Sequence, residues 1–88
     1  MPYIRSIDRD RLDYVTDALS NVGIKSAGEL NYLITKLVDN YLIDNGKSYQ
    51  YYNDCIGALE GAKLELYRRC VAPYEDIKLM ENGDVYFA

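Results

Sequence analysis

Apolar residues recur at three- and four-residue spacing along most of this chain, and the pattern predicts three helices. The clearest stripe is Leu30, Leu33, Ile34, Leu37, Val38, Tyr41 and Leu42, one continuous apolar face at helical period. Ser26 and Glu29 in the preceding "SAGE" form a capping box, in which each side chain satisfies a backbone N–H at the other's position. Gly46, after "DN", supplies a left-handed cap, so the spacing predicts a helix over 27–44. Before it, Leu12, Val15, Ala18 or Leu19, and Val22 mark a helix over 8–22 that Gly23 ends. Ser6, Asp8 and Asp13 all qualify as its N-cap. After it, Ser48 caps a long helix over 49–72, on which Tyr52, Cys55, Ile56, Leu59, Ala62, Leu66, Tyr67 and Cys70 share a face.

Two places interrupt this regularity. Gly57 and Gly61 lie one turn apart on the other side of the long helix, where each costs about 1 kcal/mol relative to alanine. Such a cost is offset if another backbone packs closely there. Pro73 is expected to break or kink the rod. "APYED" then restarts a short helix, with proline and acids in its first turn, and "ENG" stops it. A hairpin turning at Asn82-Gly83 is the rival reading of "IKLMENGDVYF". The expected fold class is all-α, a single domain over 1–88: a small bundle of three main helices with a short C-terminal helical segment, oligomeric because so short a chain buries little surface alone.

The opening "MPYI", the middle "GELNYLIT", the stretch "LELYRR" and the close "APYEDIKLMENGDVY" resemble a small family of uncharacterised proteins from bacteria and their phages, described only as a domain of unknown function. The resemblance spans almost the whole chain. It implies a compact helical protein in a phage or mobile-element setting, and it carries over no catalytic residue.

Composition narrows the functional classes. A net charge of −4 argues against non-specific nucleic-acid binding, which needs a basic field, but leaves room for a local basic pocket. Cys55 and Cys70 are about 22 Å apart along one helix, beyond disulfide reach, and read as two buried free thiols. No apolar run approaches the ~20 residues of a membrane span and no signal-peptide pattern opens the chain, so a cytoplasmic protein without a membrane partner is expected. With no histidine, neither a metal site nor a cofactor is expected.

Catalytic sets are missing as well: no Ser/His/Asp group, Cys/His pair or Gly-rich phosphate loop is present. Glu60, Glu65 and Asp39 invite comparison with magnesium-dependent helical nucleotide hydrolases, but Lys63 and Arg68/Arg69 stand one turn from the two glutamates and fit ordinary ion pairs better. An enzyme is therefore not the favoured reading.

The binding candidates are cationic and aromatic. Lys63 falls on the apolar face of the long helix, as a snorkelling stem or as a cation at a pocket mouth. Arg68 and Arg69 sit where that helix is expected to end, where they either cap its carbonyls or fork onto a phosphate or carboxylate. Tyr74 and Lys78, folded back by Pro73, are expected to join them with Tyr3 and Arg5 in one tyrosine-walled cluster. Of ten tyrosines, Tyr41, Tyr52 and Tyr67 read as core, while Tyr32 and Tyr51 fall outside it and belong to an association surface. The expected function is a non-enzymatic homo-oligomer that sequesters a small anionic, nucleotide-like ligand at subunit interfaces. A module docking a host protein through its tyrosines is the alternative, and a metal-dependent nucleotide hydrolase comes third.

Overall fold

The structure, a computed structural model, describes residues 1–86. It is all-helical, with no strand among the described residues. Helix α1 runs Ser6–Val22, α2 Ala27–Asn45 and α3 Tyr49–Leu66. A π-helical turn, Tyr67–Val71, carries α3 without interruption into α4, Ala72–Asn82.

The caps show which local signals acted. None of Ser6, Asp8 and Asp13 caps α1; Arg5 holds the N-cap position with no side-chain bond. At α2, Glu29 N–H donates to Ser26 Oγ at 3.1 Å as expected. The return bond is displaced by one residue: Glu29 Oε1 accepts from Lys25 N–H at 2.9 Å rather than from Ser26. Ser48 accepts from Tyr51 N–H at the start of α3. Gly46 has φ 116° and ψ 161°, a positive-φ residue in extended rather than left-handed helical geometry, and its N–H closes the helix onto Leu42 C=O. Glycine is the residue that tolerates such a φ.

Pro73 does not break the rod. Proline lacks the N–H and its ring collides with the carbonyl one turn back in a regular α-helix. Here the turn before it is wound wider: Ala72 N–H reaches back five residues to Tyr67 C=O. The chain therefore passes through Pro73 as one rod over 49–82, about 50 Å at 1.5 Å per residue, in keeping with the 49 Å longest extent. The hairpin reading of the tail is excluded up to Asn82; Phe87 lies outside the described residues.

Within one chain these helices do not close a bundle. α2 packs on α3, and α1 packs on none of the other helices. The α2–α3 contact is built at its loop end, where Tyr41 meets Tyr51 edge-on at 6.1 Å and where Cys55, which lines the same groove as Val38 and Tyr41, is buried. Tyr51, expected outside the core, is thus half-buried within this contact. Cys55 is the single buried residue among those described, at 7% exposure, while Cys70 is an exposed free thiol rather than a buried one. Compactness fails too: the radius of gyration is 17.1 Å, against about 12 Å for a compact chain of this length.

Candidate functional site

The N-terminal arm, residues 1–5, lies along α3 and creates the first polar cluster. Met1 N comes within 3.3 Å of where a Cβ on Gly61 would stand. The expected close backbone approach thus occurs at Gly61 and not at Gly57, around which nothing stands within 4 Å. Four residues on, the Tyr3 hydroxyl donates to Glu65 Oε1 and accepts from Arg69 Nη1 at 3.2 Å. Arg68 Nη2 donates to the same Glu65 oxygen at 2.5 Å.

This constellation is electrostatically directed at Glu65. The bond from Arg68, then the bond from Tyr3, hold its carboxyl below the usual carboxylate range, and Glu65 in turn raises the Arg68 guanidinium. Arg69 makes no ion pair with a carboxylate among the described residues; Tyr3 is its hydrogen-bond partner. Because the rod continues into α4, neither arginine caps a helix end.

The other candidates stay apart from that cluster. Arg5 pairs with Asp8 one turn on, at 3.2 Å, and is 82% exposed. Lys63 pairs with Glu60 at 3.6 Å and lines the groove between α2 and α3. Lys78 is held on its own helix by Glu81 at 3.2 Å and lies over the Tyr74 ring at 5.6 Å. α4 extends the rod rather than folding back, so Tyr74 and Lys78 do not join the arginines through a turn at Pro73. Of the six residues expected in one cluster, Tyr3, Arg68 and Arg69 meet. Glu65 organises them; the sequence marks it as an ion-pair partner through its spacing to both arginines, and gives no sign of Tyr3.

The second feature is the groove itself, about 670 Å³, opening between α2 and α3 beyond their loop-end contact. Its walls are Ile34, Leu37 and Val38 on α2 and Leu59, Ala62 and Leu66 on α3. Tyr41 and Asp54 close one end, with the Tyr41 hydroxyl donating to Asp54 Oδ2 at 3.1 Å. Crowding by its neighbours and then this bond push the Tyr41 phenol above its ordinary value. Asp54 also accepts from Gln50 Nε2 at 2.9 Å, so its placement is fixed from two sides. No group of three or more metal-ligating side chains occurs among the described residues, and no helix is long and apolar enough to cross a membrane.

Fold and site together define a small all-α protein with open apolar helix faces and an arginine–tyrosine cluster beside them. A profile for the domain of unknown function DUF6899 matches residues 1–85, and the chain belongs to that family. No curated protein and no solved structure matches it.

Proposed function

We infer that the protein is a non-enzymatic homo-oligomer that binds a small anionic ligand where subunits meet. The observation that carries this reading is uncovered surface. The chain exposes 7864 Å², roughly 2,600 Å² more than a compact monomer of its mass. A standard protein–protein interface takes about 800 Å² from each partner. The excess includes the apolar residues Leu30, Leu37, Leu59, Leu66, Ile77 and Met80. Water around such side chains is a large standing penalty, about 25 cal/mol per Å², that association removes.

The ligand half of the reading is supported by Arg69, a guanidinium bonded to a tyrosine and to no carboxylate among the described residues. Exposed Arg5 is the next cation along the arm. Arginine forks onto phosphates or carboxylates, and tyrosine rings can stack a base. Light scattering on the purified protein tests assembly: a monomer at high micromolar concentration removes the reading. Mass spectrometry of co-purified small molecules, with a thermal-shift screen of nucleotides with and without magnesium, tests the ligand. A magnesium-dependent turnover of a nucleotide would favour a hydrolase instead.

A second reading, a module that docks a host protein, draws support from Tyr14, Tyr49 and Tyr86, each more than four-fifths exposed. Amphipathic rings of this kind concentrate at interfaces.

A further inference from the structure

We propose that the α2–α3 groove is filled by helix α1 of a second copy of this chain, reciprocally, so that two chains exchange α1. This rests on the homo-oligomer reading and names its contact. Three observations meet here.

First, groove and helix each lack what the other has. The groove is apolar along Leu59, Ala62 and Leu66. α1 carries exposed Leu12, Val15 and Val22 with half-buried Leu19 on one face, and packs against no other helix of its chain. That stripe is about 15 Å long, and the groove from Asp54 to Leu66 about 18 Å, at 1.5 Å per residue.

Second, the charges give the helix a direction. Asp54 and Lys63 stand at different levels of the groove. Arg11 adjoins the start of the α1 stripe, and the last turn of α1 has no basic residue. Its C-terminal carbonyls therefore present an uncompensated negative end. Arg11 at Asp54 and that end toward Lys63 set α1 parallel to α3 and antiparallel to α2.

Third, the chain's own α1 is tethered outside the groove at both ends. Its leading arm is bonded to α3 through Tyr3, Glu65 and Arg69. Its other end joins α2 through residues 23–26, with Gly23 at φ 76° and ψ 124°. The α1 of a second copy is tethered beside its own groove and not beside this one, so these tethers do not hold it out of this groove. Two-fold exchange places one α1 in each of two equal grooves, and the contact closes on itself.

The test uses two full-length chains, each carrying Cys55→Ala and Cys70→Ser. One adds Val15→Cys and the other Leu59→Cys, with different affinity tags. Co-expressed and oxidised, they are expected to give a disulfide-linked heterodimer, whereas either chain alone gives none. Cross-linking of the L59C chain with itself overturns the proposal in favour of α3 against α3. A register offset could defeat the disulfide, so a second pair decides the matter. Leu19→Asp and Leu59→Asp chains each lose association alone and regain it when mixed, because one α1–groove contact survives in the mixed pair. No disulfide and no rescue in the mixture overturn the exchange. A wild-type chain that is itself monomeric overturns the homo-oligomer reading as well, so the two failures are distinguishable.

Discussion

Tyr3 donates its hydroxyl to Glu65, tying the first residues of the chain to the middle of the continuous 49–82 rod. Arg68 and Arg69 complete the tie, one through the carboxylate and one through the phenol oxygen. Of the side-chain hydrogen bonds among the described residues, the two that Tyr3 makes span the greatest sequence separation, and they hold the arm that leads into α1.

Replacing Tyr3 by phenylalanine keeps the ring and removes both bonds. The expected outcome is faster amide exchange at residues 3–5 and 61–69, with little change in helix content. Hydrogen–deuterium exchange checks it. Unaltered exchange would mean that ring packing alone secures the arm.

The same tie responds to acid. Arg68 and Tyr3 stabilise the charged form of Glu65, so its folded pKa lies below its unfolded one. Its contribution is complete above the unfolded value, and it is lost as pH falls through the folded value. Arm protection is therefore expected to fall as pH drops below the ordinary glutamate value of 4.5 and on through the lower folded value, and Glu65→Gln is expected to show the loosened arm already at neutral pH. Exchange rates of the arm, followed against pH in both proteins, test this.

Much of the helical layout was legible because its signals are local. The α2 stripe, the Ser26 and Ser48 caps and the glycine stops each act within one turn, and the end of α1, both ends of α2 and the start of α3 follow them closely. The helix expected over 49–72 instead gives way to the π turn after Leu66. The break expected at Pro73 is absent for a physical reason: its steric demand is real, but the π turn just before it lets the helical path continue. Glu65 and Tyr3 could not be joined from sequence because no periodicity links an arm to a distant helix. The open groove was hidden similarly. Apolar stripes predict burial, yet they do not say whether the covering surface belongs to the same chain.

The two α3 glycines separate cleanly. A Cβ on Gly57 meets nothing, so Gly57→Ala is expected to raise stability by about 0.5–1 kcal/mol through helix propensity. At Gly61 the Cβ would press on Met1 N at 3.3 Å, so the gain from Gly61→Ala is smaller, and Gly61→Leu displaces the arm. Chemical denaturation of all three variants, with exchange at residues 1–5, provides the comparison. Equal gains at the two positions would mean that the arm does not sit on Gly61.

The last prediction concerns the closed end of the groove, where Tyr41 bonds Asp54 and packs on Tyr51. Crowding and the adjacent carboxylate both oppose a phenolate, and so Tyr41 keeps its proton above the ordinary tyrosine value of 10.0. A raised folded pKa means that the folded state holds this proton more tightly than the unfolded one. The associated stability is present below the unfolded value and is lost as pH rises through the folded value. Tyrosinate absorbance should therefore develop in stages, with the step absent from Tyr41→Phe lying at the alkaline end. Asp54→Asn removes the charge while leaving an acceptor, and it should move that step back toward the ordinary value. If the spectra of wild type and Tyr41→Phe differ instead by an ordinary step, the phenol is open to water and the α2–α3 hairpin does not close where Tyr41, Tyr51 and Asp54 meet.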